Sequence, residues 1–354
     1  MSKIVSIQLL RAVACVLVLL IHLSLFVPNT LFGGAIGVDL FFLISGYIIA
    51  SSIDNMRQKD RALNFAVNRF SRVVPYYYLM TVVLVAAAYF FTGAFDRNKF
   101  ILSLLFYPQS GDPSIMPGWS LNHEIFFYLF MTLMLVVQRG KVNHWLNIGA
   151  FTLLVATAAT LPVDNYFVSF VGTSINITFA IGYVIYLLRD RIVPRFASNG
   201  LLLISVVLFL ATIMFSLDFN QNYQDAYKRE SIFFFGFLVP IPRVLGWGIP
   251  SAFLFLTILA KENALTKPNR LVMKIGDASY TVYLIQGLMM LLLSLIQPVS
   301  VWLLVVTLFA TLGASVLLYG LESNVAKFSK RVLSWGLVKQ PKIVGSSSNA
   351  LEVK

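Results

Sequence analysis

The stretch VSIQLLRAVACVLVLLIHLSLFV, Val5–Val27, decides the fold of this chain. A helix of about 20 apolar residues crosses the hydrocarbon core of a bilayer, and this run is long enough. Two ionisable residues interrupt it, Arg11 and His22. Such groups are costly inside a membrane and are functional candidates by default. They lie eleven residues apart. At about 100° per residue, both project from nearly the same helix face, roughly 16 Å apart along the axis. A structural pair would be closer. The spacing fits two stations of one elongated site.

The rest of the chain has the same character. Of 354 residues, 58% are hydrophobic and 12% are charged, with mean hydropathy +0.81. That composition excludes a soluble globular class and points to a polytopic membrane protein. The single cysteine, Cys15, falls in the first span, so no disulfide framework is expected. The net charge of +12 would suggest nucleic acid in a soluble protein. Here it reads as topology, because basic residues collect in cytoplasmic loops. No nucleic-acid partner is expected, and membrane lipids are. The first apolar run is too long for a cleaved signal peptide and carries two ionisable groups.

The hydropathy pattern predicts an all-α polytopic protein of about ten transmembrane helices, near 5–27, 35–53, 73–92, 119–138, 145–162, 166–188, 200–217, 231–260, 275–296 and 299–321. Pro240, Pro242 and Pro250 interrupt the eighth, which reads as a broken helix or a re-entrant segment plus a helix. With the N-terminus inside, 22 of the 27 Lys and Arg residues face the cytoplasm, which makes both termini cytoplasmic. Residues 1–338 form one integral-membrane domain, and 339–354, polar and Ser/Gly-rich, read as a disordered cytoplasmic tail.

Topology sorts the polar residues by depth. His22, Asp39 of Gly37-Val38-Asp39, and Glu124 of Trp119-Ser120-Leu121-Asn122-His123-Glu124 all fall near the outer side. Arg69 and Arg72 lie just before the third span at the cytoplasmic mouth, three apart on one face. A histidine beside a carboxylate is a general-base arrangement. Arginines three apart suit phosphate, through bidentate charge-assisted hydrogen bonds. A substrate with a phosphorylated head and a long reactive arm fits this layout, and acetyl-coenzyme A is one. Each residue also has a plainer role. Arg69 and Arg72 would serve as positive-inside anchors, Asp39 and Glu124 as helix-end carboxylates, and Pro75-Tyr76-Tyr77-Tyr78 as an interfacial belt. His123 and His144, near span ends, read as solvated.

Taken together, these motifs resemble the membrane-bound acyltransferase-3 family, whose members O-acylate sugars. Arg11 and His22 match its Arg-x10-His pattern, and Gly37–Tyr47 its second-span signature. Arg69-Phe70-Ser71-Arg72 with Pro75 matches Arg-x-x-Arg and proline. Trp119-Ser120-Leu121 with Glu124 matches the fourth-span signature, and Ser279–Leu284 resembles a late one. The resemblance implies ten core spans, acetyl-CoA as donor substrate with no bound cofactor or metal, His22 as catalytic base, and donor binding at Arg69 and Arg72. One departure stands out: many relatives carry histidine shortly after the late Tyr-Leu, where this chain has Gln286, which cannot act as a base.

The expectation is therefore an inner-membrane O-acetyltransferase of bacteria. Acetyl-CoA enters at Arg69 and Arg72, with Arg11 guiding it along the first span. His22, oriented by Glu124 or Asp39, deprotonates a sugar hydroxyl; an acyl-histidine route is the mechanistic alternative. Trp119 stacks on the sugar, and Ser120 or Asn122 hydrogen-bonds to it. The acceptor is a lipid-linked or growing polysaccharide, O-antigen or exopolysaccharide. The rival reading is a transporter or flippase for an anionic glycan or lipid, with His22 and Glu124 as a proton relay. Against it, no inverted repeat is visible and only the eighth span is broken. A third is a non-catalytic scaffold of a polysaccharide synthase.

Overall fold

In the computed structural model of the chain, residues 4–338 are described, except 27–32, 57–59, 110, 140, 163–164, 216–231, 235–236, 240–241, 267 and 297. The expected tail, 339–354, and residues 218–230 between the seventh and eighth expected spans lie outside the described residues.

The first half holds α1 (Val5–Ser24), α2 (Ile36–Asp54), the 32-residue α3 (Arg61–Thr92), the short α4 (Arg97–Leu104), α5 (Trp119–Gln138) and α6 (His144–Thr160). The second half holds α7 (Tyr166–Gly172), α8 (Ile175–Leu187), α9 (Arg189–Ile192), α10 (Asn199–Phe215), α11 (Ile249–Leu259), α12 (Arg270–Asp277), α13 (Ser279–Ser294) and α14 (Val301–Val338). Side-chain caps start several of them. Asp96, Asn143, Asn165 and Asn269 each accept from backbone N–H groups of the following first turn. The cap of α1 comes from far along the chain. Glu262 accepts from the backbone N–H groups of Val5 and Ser6, at 2.7 Å each, and a carboxylate there complements the positive end of the helix.

The described residues form helices, loops and one small hairpin. Among them, six helices are long and apolar enough to cross a membrane, or eight if each of two bent pairs is one span. The bent pairs are Arg189–Phe196 with Asn199–Met214, at 89°, and Arg270–Asp277 with Ser279–Ser294, at 69°. The eighth expected span differs most. Its beginning is an antiparallel hairpin, β1 (Ile232–Phe234) with β2 (Phe237–Val239), and only Val244–Leu259 is a continuous apolar helix. That helix opens with a π-turn over Val244–Gly248, and Pro250 follows it closely, where the regular winding of α11 begins. The third span also starts earlier than expected, so Arg69 and Arg72 lie within α3 rather than before it.

One core joins most of the helices. Phe42, Phe127 and Phe179 stack across α2, α5 and α8, with ring centroids 4.1 and 4.8 Å apart. α2 and α8 touch backbone to backbone. A Cβ on Gly46 would sit 2.1 Å from the carbonyl oxygen of Phe179, and one on Gly182 would sit 2.0 Å from that of Leu43. Small residues at crossings let helices approach closely, which drives association where no water is squeezed out. α1 crosses α2 in the same manner at Gly34 and Gly37, against the carbonyls of Leu17 and Ala14. This crossing sets His22 beside the start of α2.

Candidate active site

Three cavities follow one another along α1. The first, about 410 Å³, is walled by Ile7, Gln8 and Arg11 of α1, Arg72 of α3, and Glu322 and Lys327 of α14. The second, about 90 Å³, shares Arg11, Ile48 and Arg72 with the first and adds Arg69, Ser120, Glu124 and Tyr283. The third, about 10 Å³, shares Tyr283 with the second and lies against Val18, Ile21, His22 and Trp119. The helix that carries Arg11 and His22 thus links a wide mouth to a space the size of one water molecule.

The arginines stand where the first two cavities meet. Arg11 donates from Nε and Nη2 to Ser279 Oγ, at 3.1 and 2.8 Å. Arg69 is buried, donates from Nη2 to the carbonyl of Ile48 at 3.3 Å, and lies 5.7 Å from the Phe65 ring centroid. Its Nε has no partner among the described residues. Arg72 is exposed and opens on both cavities. Glu124 faces this cluster and accepts from Ser45 at 3.1 Å and Tyr128 at 2.5 Å. Ser120 and Tyr283, their hydroxyls 2.7 Å apart, form the wall toward His22.

His22 itself is buried, with Nδ1 2.6 Å from Oε1 of Gln286. Neither expected carboxylate orients it. Asp39, 0% exposed, is bound instead by Arg243. Glu124 lies deeper in α5, on the second cavity. The sequence places all three near one depth, yet the carboxylates are taken by partners that hydropathy does not reveal. Among the proposed sugar contacts, Trp119 lines the His22 cavity and Ser120 the second cavity. Asn122 is buried and lines none of the three, and its Oδ1 has no partner among the described residues.

His123 is a further correction. It is 1% exposed, bonded through Nδ1 to Asn176 Oδ1 at 2.9 Å and stacked 4.1 Å from Phe170. His144 is half-buried against the hydroxyl of Tyr183, at 2.7 Å. Arg243 went unnoticed as more than an outer-loop cation; its place between Pro242 and an apolar run was the available signal. Ser279 and Tyr283 sit inside the late signature without a role assigned from sequence. Glu322, which accepts from Thr281 at 2.6 Å, had no signal beyond a lone carboxylate in an apolar helix. Among the described residues, no cluster of three or more metal-ligating side chains occurs.

The model of the acyltransferase domain of the acyltransferase-3 family matches residues 4–320. The chain belongs to that family. This acyltransferase-3 chain is 28% identical over 265 residues to the exopolysaccharide production protein ExoZ of Rhizobium meliloti, covering 71% of the chain and 75% of ExoZ. It is 32% identical over 159 residues to the peptidoglycan O-acetyltransferase OatA of Listeria monocytogenes, covering 39% of the chain and 25% of OatA. The putative peptidoglycan O-acetyltransferase YrhL of Bacillus subtilis is 33% identical over 180 residues, covering 43% of the chain and 27% of YrhL. The acyltransferase-3 chain thus spans three quarters of ExoZ but only about a quarter of the other two. No solved structure matches it.

Proposed function

We propose that this chain is a ten-span O-acetyltransferase of the bacterial inner membrane, with both termini cytoplasmic, that moves acetyl from acetyl-CoA to a sugar hydroxyl of a surface polysaccharide. The observation that carries this reading is the run of cavities along α1, from a basic mouth at Arg11 and Arg72 to His22. The wide first cavity suits the nucleotide end of the donor. Arg69 and Arg72 bind its phosphates, because guanidinium groups match phosphate oxygens in charge and geometry. The narrow second cavity suits the pantetheine arm, which carries the thioester past Arg11 toward His22.

At His22 the chemistry is acyl transfer. The imidazole takes the proton of the sugar hydroxyl as its oxygen attacks the thioester carbonyl. A tetrahedral oxyanion forms, then collapses with cleavage of the carbon–sulfur bond. The CoA thiolate leaves and recovers the proton from the imidazolium, so the histidine returns neutral. Trp119, on the His22 cavity, supplies a flat apolar face for the sugar ring, and Ser120 a hydrogen bond. ExoZ, covered over 75% of its length, is named for exopolysaccharide production, which favours an exopolysaccharide acceptor over O-antigen.

The test uses inverted inner-membrane vesicles, acetyl-labelled acetyl-CoA and isolated polysaccharide or its lipid-linked precursor. Wild-type protein is expected to transfer label, and His22→Ala at matched expression is expected to lose it. Glycan movement that depends on a proton gradient, without label transfer, would replace this reading with transport.

A further inference from the structure

His22 and Gln286 face each other in the buried core, 264 positions apart in the chain, with Nδ1 and Oε1 separated by 2.6 Å. With the amide oxygen turned to the ring, as it is here, that oxygen only accepts, and the proton of this bond then sits on Nδ1. The neutral ring then carries its lone pair on Nε2. The residues that wall the adjoining cavity offer His22 no carboxylate: they are Val18, Ile21, Ala35, Val38, Pro117, Trp119 and Tyr283. Gln286 is 0% exposed, and its own amide nitrogen has no partner among the described residues. A buried amide N–H left without a partner costs about 1–3 kcal/mol. The contact to His22 is what the side chain gains in exchange.

We infer that Gln286 is a positioning residue, holding His22 as the Nδ1–H tautomer so that Nε2 is the basic nitrogen. This rests on His22 being the base. The half-turned amide would instead donate to Nδ1 and leave the proton on Nε2, where no lone pair remains to accept one from a hydroxyl. The two orientations therefore differ in whether the ring can act at all. A glutamine does this without a negative charge beside the ring. The amide dipole, in place of a full charge, steadies the imidazolium formed in turnover, which favours its rapid return of the proton to the leaving thiolate.

The chain has three histidines, which makes the tautomer directly readable. The full-length protein is labelled with 15N-histidine, reconstituted in lipid nanodiscs, and its ring nitrogens are recorded by NMR. His22→Ala assigns the signal, and His123, whose Nδ1 also meets an amide oxygen, serves as an internal control. Wild type is expected to show a protonated Nδ1 and a bare Nε2 at His22. Gln286→Met, similar in volume but with no carbonyl, is expected to shift the proton toward Nε2 and leave His123 unchanged. Its kcat for label transfer should fall about 100-fold, the scale of one general base, while KM for acetyl-CoA holds. A protonated Nε2 in the wild type overturns the inference, and so does a tautomer unchanged in Gln286→Met. If His22→Ala still transfers label, the base reading fails on its own, and the spectra show that separately.

Discussion

Arg243 closes on Asp39 across 204 positions of chain, with Nη2 at 2.8 Å and Nε at 3.1 Å from the same carboxylate oxygen. The same Nη2 also reaches the carbonyl of Ala35 at 3.0 Å. The guanidinium carbon lies 4.5 Å from the Trp247 ring centroid and 5.8 Å from that of Trp119. The pair thereby fastens the start of α2 to the start of α11 and braces a wall of the His22 cavity. Asp39 is fully buried and Arg243 is 23% exposed, so the pair is costly to break from the arginine side, which strands a buried carboxylate.

Arg243→Met is therefore expected to destabilise the protein by about 3–5 kcal/mol, and Arg243→Met with Asp39→Ala by clearly less. Thermal unfolding of the detergent-solubilised variants, run as a double-mutant cycle, checks this. Additive losses would show that the two side chains are not coupled.

Arg72 and Arg69 are expected to separate. Arg72, open to both basic cavities, should affect donor binding: Arg72→Ala raises KM for acetyl-CoA by about 10- to 100-fold with kcat little changed, as loss of a charge-assisted hydrogen bond implies. Arg69 is 8% exposed and tied to the Ile48 carbonyl, so Arg69→Ala should also lower the unfolding temperature. Steady-state label transfer at varied donor concentration, with melting curves alongside, distinguishes them. Equal melting temperatures for the two variants would contradict the assignment.

Ser120 and Tyr283 stand between the second cavity and His22. Ser120→Leu fills that passage with apolar volume. Acetyl-CoA binding, read by equilibrium titration, should survive, whereas label transfer should fall at least about 100-fold through misplacement of the reacting atoms. Retained transfer would place the route of the acyl group elsewhere.

Gly182→Val should fail at the α2–α8 crossing, since its Cβ would fall 2.0 Å from the Leu43 carbonyl. Overpacking of this kind costs about 1–3 kcal/mol or more, and backbone cannot rotate aside as a side chain can. Gly313→Val, where a Cβ meets nothing within 4 Å, is the matched control and should express and melt as wild type.

Much of the architecture was legible because a bilayer imposes simple rules on length and polarity. Arg11 and His22 stood out against an apolar background, and their common face follows from helical geometry alone. Arg11, Arg69 and Arg72 line one cavity together with Glu124, which the depth reading sets beside His22 instead. What stayed hidden depends on long-range pairing. Nothing local marks Arg243 as the partner of Asp39, or Gln286 as that of His22. His123 read as solvated because it lies near a span end, yet Asn176 and Phe170 arrive from α7 and α8 to enclose it. The eighth span failed for a related reason. Composition reports apolarity, and both a hairpin and a helix supply it.

The constriction at His22 has a consequence for the membrane as an electrical insulator. A file of arginines, a glutamate and a histidine running through a bilayer would short-circuit an ion gradient if water threaded it from end to end. The space beside His22 measures about 10 Å³, and Tyr283, hydrogen-bonded to Ser120, is one of its walls. A space of that size holds about one water molecule, too little for a continuous water wire. A constriction of this size would help to keep a lipid barrier tight to protons at rest.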